Sequence, residues 1–338
     1  MKKSTRKIAA LLCICLIFGA LLCSCNQNKD ENNIPESDTV LTANGHDVSY
    51  GLYRYFFLNY KKDYSEEELK DSPDKIYAEL QQAAFDSIAG VYAVVDLCAE
   101  YGITTEDASI KESVDQTIAS IKEQYVDEEK DKTGEAGFKE DLKANFMTEE
   151  VLRFVTAVDA CESALFTKLL AETDKIPSDE EKIKDAIYGD EFIRVLQIYV
   201  SADNGSTYEQ NKALAEKVYG MAQSGHDFDA LIADYSNDYT MTKNGYYICR
   251  GYMGKEFEDA AFALKAGEMS EIIELSDGFH IIKRYEKDNE YLASHYDDLK
   301  EQYQTCKFYE MIEQKQAAVK VEKTDKFSEI DPALISLK

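Results

Sequence analysis

A chain of 338 residues is too long for one compact core of ordinary size and calls for two or more folded units. With 65 acidic against 38 basic side chains, its field repels polyphosphates and argues against nucleic acid as a partner. A charged fraction of 30% and a mean hydropathy of −0.43 describe a soluble body.

The chain begins with a basic segment, Lys2, Lys3, Arg6 and Lys7, followed by an apolar run over 8–22. That run is shorter than the roughly 20 residues that span a bilayer, so 1–24 reads as a signal peptide. Leu22-Cys23-Ser24-Cys25 resembles a bacterial lipobox, which places lipidation on Cys25 and makes 25–37 a polar tether. The alternative is an ordinary secretory signal with incidental cysteines. Beyond it, Cys98, Cys161, Cys249 and Cys306 lack the close spacing of a zinc site. An exported location permits disulfides, but spacing reveals no connectivity, and buried free thiols are the expected state.

Next comes Val40-Leu41-Thr42-Ala43-Asn44-Gly45-His46-Asp47-Val48, in which Asn-Gly between short apolar runs predicts a hairpin with a surface His46. From there to about 190 the pattern is helical. Ile76, Leu80, Ala84, Ile88, Val91, Val95 and Cys98 form one stripe, closed by Gly102. A second helix from about Thr105 carries Ile110, Val114, Ile118 and Ile121, and 127–137 reads as a charged loop. Further helices start near Phe138 and Thr148, the latter with Val151, Val155, Val158, Leu165 and Leu169 apolar. Capping-box spacing occurs at Ser65/Glu68 and Ser178/Glu181.

Between 191 and 287 the period changes. Apolar runs at 192–200 and 278–284 read as strands, with a helix from the Thr207/Gln210 capping box to Gly225 and a short one over 227–235. Three phrases follow in order: Met253-x-x-x-Phe257-x-x-Ala260-Ala261-Phe262-x-Leu264, Gly267-Glu268-x-Ser270 and Gly278-Phe279-His280-Ile281-Ile282. Together they resemble the parvulin family of peptidyl-prolyl isomerases.

The resemblance implies a βαααβαββ domain at 191–287. It places Met253 and Phe257 on the walls of a proline pocket, with Tyr247 a weaker candidate for the third. It assigns His280, Asp238 and Gln197 to the polar network at the catalytic site. Such a site lowers the roughly 18–20 kcal/mol barrier to twisting an amide by gripping the ring and favouring the twisted bond. Two departures weaken the catalytic implication. Gln197 stands where the family has its first histidine, and Asn244-Gly245-Tyr246-Tyr247-Ile248 replaces the usual G-G-D-L-G phrase. Glutamine can donate and accept hydrogen bonds but cannot titrate.

A hairpin followed by helices, ahead of such a domain, resembles the chaperone module of PrsA-type foldases and of SurA. A helical spacer is the alternative for 38–190. The stripe Leu292, Tyr296, Leu299, Tyr303, Cys306 and Tyr309 predicts a helix within 288–320, and the resemblance returns it to the helical module; 321–338 shows no pattern. The resulting expectation is an α+β foldase lipoprotein, anchored on the outer face of the cytoplasmic membrane. It would isomerise prolyl bonds in unfolded or partly folded secreted polypeptides, with no cofactor and no metal. A homodimer is open. The runner-up is a holdase whose parvulin domain is catalytically weak. A solute-binding lipoprotein with two α/β lobes fits poorly, because helices fill the first half and strands cluster near 193–286.

Overall fold

The computed structural model describes residues 32–127 and 129–336. The expected signal peptide, the lipidation site Cys25 and residues 25–31 of the tether lie outside the described residues. The chain divides into two compact units, 32–172 with 311–336, and 173–310.

The first unit opens with antiparallel strands β1 (Thr39–Ala43) and β2 (His46–Ser49). Asn44 and Gly45 both take positive φ, 49° and 85°, as a tight hairpin turn requires. His46 is exposed, bonded to Asp96 at 2.8 Å. Six helices follow: α1 (Tyr50–Lys61), α2 (Glu66–Asp71), α3 (Pro73–Glu100), α4 (Ala108–Glu123), α5 (Glu135–Ala144) and α6 (Glu149–Glu172). Helix α3 packs against α1 and α6, while α4 packs on α6. By length and composition α3 could cross a bilayer, but its expected stripe is buried among these helices apart from the half-buried Val95. Each buried Leu or Ile contributes about 1.5–3 kcal/mol, so this face holds the unit together.

The second unit begins with α7 (Glu180–Tyr188) and β3 (Ile193–Ser201). It continues through α8 (Tyr208–Gln223), α9 (Phe228–Tyr235), β4 (Tyr246–Ile248), α10 (Lys255–Ala263), β5 (Ile273–Leu275) and β6 (Gly278–Tyr285). The four strands form one antiparallel sheet in the order β4-β3-β6-β5. Two helices rather than three separate β3 from β4. The segment after α9 stays irregular because the Asp238 side chain accepts from the Thr240 and Met241 N–H groups, an Asx turn that competes with a helical turn. Thr207 and Gln210 form the expected capping box. At α7 the cap is Asp179, whose carboxylate accepts from Glu181 and Lys182, in place of the Ser178 box read from spacing.

The last helices are α11 (Asn289–Ser294) and α12 (Tyr296–Gln316). Leu292, Leu299, Tyr303 and Cys306 pack with Ile183, Ile187, Phe192, Tyr247 and Cys249. The apolar stripe read as returning to the helical module is therefore satisfied within 173–310, where α7 and β4 offer a matching surface. From 311 onward the chain belongs to the first unit, and the compact unit that holds the sheet takes in α7, α11 and most of α12 beside the 191–287 segment. In that last stretch Lys315 pairs with Glu100 at 2.6 Å. The patternless tail contains strand β7 (Val321–Lys323), paired with β1, and a 3-10 turn that sets Phe327 edge-on against Tyr53 at 5.2 Å. Three residues of strand are too few to show a period.

Candidate functional site

The sheet positions the site. Strands β3 and β6 run side by side in a register that sets His280 opposite Tyr199 and Ile282 opposite Gln197. Strand side chains alternate faces, so Gln197, Tyr199, His280 and Ile282 share one face with Ile193 and Val195. Helix α10 lays Phe257 and Ala261 on the apolar part of that face, against Ile193, Val195, Ile248 and Ile282. On the opposite face Leu196, Ile198 and Ile281 are sealed by Val218, Phe228 and Leu231 from α8 and α9.

A hydrogen-bonded chain crosses the polar part of the site face. Gln197 Nε2 donates to Asp238 Oδ2 at 2.6 Å, and His280 Nδ1 lies 2.8 Å from Gln197 Oε1. An ionised Asp238 can only accept, which turns the amide nitrogen of Gln197 toward it and leaves Oε1 to accept from His280 Nδ1–H. The glutamine thus relays orientation from carboxylate to imidazole, as a histidine would through its two nitrogens. Asp238 also accepts from the Tyr246 hydroxyl at 2.9 Å and from Thr240 Oγ1 at 2.9 Å. Burial pushes its carboxyl up, but the bonds from Gln197, Thr240, Tyr246 and the Met241 N–H outweigh that and hold it below the ordinary 3.8. Burial raises Tyr246, and the neighbouring Asp238 charge raises it further.

His280 is 5% exposed. The Tyr199 ring stacks on it at 4.7 Å, and Phe257 meets it edge-on at 5.9 Å and 88°. Its Nε2 lies 3.2 Å from Asp277 Oδ1, at the β5–β6 turn. Gly278 makes that turn possible: its φ is 147°, and a Cβ there would meet the Val200 carbonyl oxygen at 2.1 Å.

The structure brings Gln197, Asp238, His280 and Phe257 together and sets the half-buried Met253 against the same apolar cluster. Tyr247 does not join them. Because Tyr246 faces the site and neighbours in a strand point opposite ways, Tyr247 points to the other face. There it stacks on Tyr291 at 4.4 Å and accepts from the Asp288 N–H. Tyr246 is the tyrosine at the site, one position away from the residue read in sequence.

Sequence reasoning also missed Glu258. This buried carboxylate accepts from the Met253 N–H at 2.7 Å and the Gly251 N–H at 3.1 Å, pinning the turn that presents Met253. Its place immediately after Phe257 made it look like an ordinary exposed helix acid. Glu258→Gln replaces one acceptor oxygen by a donor facing an N–H, at a cost of about 1–3 kcal/mol. The expected result is a several-fold rise in KM with little change in kcat for a prolyl peptide; an unchanged KM would show that the turn needs no such anchor.

Residues 197–286 match the model of the Rotamase family, described as a PPIC-type PPIASE domain. The chain carries a peptidyl-prolyl cis–trans isomerase domain of the parvulin class. Beyond that domain it is similar to Foldase protein PrsA of Caldanaerobacter subterraneus subsp. tengcongensis, 27% identical over 286 residues, which is 82% of either chain. Among solved structures, PrsA from Bacillus anthracis is 20% identical and covers 68% of this chain and 95% of its own, with a TM-score of 0.34. A structure from Campylobacter jejuni, described with PEB4 and Cj1289 as SurA-like chaperones, is 19% identical, covering 82% and 95%, with a TM-score of 0.23.

Proposed function

We propose that this chain is an exported, membrane-anchored foldase whose isomerase domain acts on prolyl bonds of unfolded or partly folded secreted polypeptides. The observation that carries the reading is the single face on which Phe257 stands edge-on to His280 while Gln197 ties that imidazole to Asp238. No bond need be made or broken covalently. Phe257 and Met253 would grip the proline ring, and their apolar surroundings favour the twisted amide, which has lost charge separation along its C–N bond. The network would fix the imidazole on the floor of the site, so that no reorganisation accompanies the twist. A lipid on Cys25 would supply the anchor.

A protease-coupled assay with the purified chain and a proline-containing peptide tests this. Met253→Ala is expected to lower kcat/KM about 10-fold while leaving the melting temperature nearly unchanged, because Met253 is only half-buried. His280→Ala should lower it by a similar factor. Wild-type chain that gives no rate enhancement would rule out the isomerase reading.

A holdase role has its own supporting observation. In the helical unit a concavity of about 360 Å³ is lined by Leu142, Phe146 and Met147 and flanked by Lys139, Lys143 and Arg54 on the basic side and by Glu36 and Glu149 on the acidic side. It shares no residue with the sheet site. Apolar walls with a rim of mixed charge suit an extended, largely apolar segment, and aggregation suppression in the absence of rate enhancement would support this role alone.

A further inference from the structure

Each of the four described cysteines meets another. In the helical unit, Cys98 on α3 and Cys161 on α6 sit on two helices that pack together, and the neighbouring Cys161 thiol is the main influence that raises Cys98. In the sheet-bearing unit, Cys249 just after β4 and Cys306 on α12 lie in one apolar cluster, where the Cys306 thiol is the main influence that raises Cys249. The turn after Cys249 is held close to the same helix turn: a Cβ at Gly251 would lie 3.5 Å from Cys306 Cβ. All four are at most 3% exposed.

Three pairings of four cysteines are conceivable, and the fold selects one. Each pair joins elements distant in sequence but inside one compact unit. Neither pair belongs to the isomerase network, and no grouping of metal-binding side chains accompanies either among the described residues. Free thiols pack well in such interiors, but two independent thiol–thiol contacts are more than apolar packing requires.

All four are free thiols in this structure. We propose that they form two disulfide sites, Cys98–Cys161 and Cys249–Cys306, closed when the chain folds in contact with a disulfide donor. The proposal draws its compartment, though not its pairing, from the export reading. In each closure two thiols lose two protons and two electrons and one S–S bond forms. The donor's own disulfide takes up both electrons and both protons and leaves as two thiols. Exchange needs access to sulfur, so both bonds must close during folding, before the clusters seal. Each would shorten a long excursion of the unfolded chain, the setting in which a cross-link stabilises most.

The test is to refold the purified full chain in a mixture of oxidised and reduced glutathione, block residual thiols by alkylation after denaturation, and map the linked peptides. The expected map contains 98–161 and 249–306 and no cross-pairing between them. The melting temperature should fall by roughly 10 °C on reduction. Recovery of all four as alkylated thiols, or a map joining 98 or 161 to 249 or 306, overturns the proposal. A second arm traps thiols by alkylation at the moment of cell lysis. Bonds that form in vitro but are missing from cell-derived chain would count against the export reading and leave the pairing intact.

Discussion

Gln197→Glu is expected to cost about two orders of magnitude in kcat/KM at neutral pH, although the change swaps one nitrogen for one oxygen. Gln197 Nε2 is 2.6 Å from Asp238 Oδ2, so the substitution places two carboxyl groups in direct contact. Like charges at that distance cannot both ionise, and the pair would hold one proton well above the ordinary carboxylate range. A shared proton leaves Asp238 weaker as the anchor of the relay and frees His280 Nδ1 to take another orientation. The destabilisation at pH 7 should be about 2–3 kcal/mol, less than for a fully buried pair because Asp238 keeps partial solvent contact.

The two proteins should respond to acid in opposite senses. In the wild type, the folded-state value of Asp238 is lowered. Its contribution is therefore complete above the unfolded value near 3.8 and is lost as pH falls through the lower folded one. In the variant the folded pair binds a proton that the unfolded chain has released at pH 7. Its deficit therefore shrinks as pH falls from 7 toward about 4. Chemical denaturation of both proteins across that range checks the sign. A gap that stays constant with pH would mean that the two side chains do not touch.

The organisation of the chain was legible wherever a period ran long enough to show. The stripes on α3 and α4, the Asn44-Gly45 hairpin and the capping boxes at Ser65 and Thr207 each express one local rule, and each is present. The grouping of Gln197, Asp238, Phe257 and His280 was legible through family phrases, since no local rule links positions so far apart. Tyr247 was misplaced because a three-residue strand with tyrosine at two successive positions gives no alternation from which to choose a face. Glu258 was hidden because a buried acid and an exposed one look alike until the backbone N–H groups it serves are in place. The stripe of α12 was visible, but its partner was not: amphipathicity tells that a face is covered and leaves open by what. The same limit applied to the cysteines, whose partners only the packing of α3 on α6 and of α12 beside β4 reveals.

Phe257→Ala should produce the largest loss of stability of any single change at the site. The ring is 4% exposed and fills the space among Ile193, Val195, Ile248, Ala261 and Ile282. Removing it forfeits the transfer energy of the ring and leaves a cavity the sheet cannot close, a combined cost of about 3–5 kcal/mol. A unit of ordinary stability, about 5–15 kcal/mol, loses a large share of it by that change. Activity lost with the fold would say little about the pocket, so the informative comparison is Phe257→Leu, assayed well below its melting temperature. Leucine refills most of the volume at about 1 kcal/mol but has no ring edge to present to His280. If Phe257 only packs the core, kcat/KM should track stability and stay close to wild type in the leucine variant. If it also forms the wall that holds the proline ring over the imidazole, kcat/KM should fall about 10-fold while the melting temperature drops only a few degrees. The second outcome is the one expected, because Phe257 faces both the cluster beneath it and the polar network beside it.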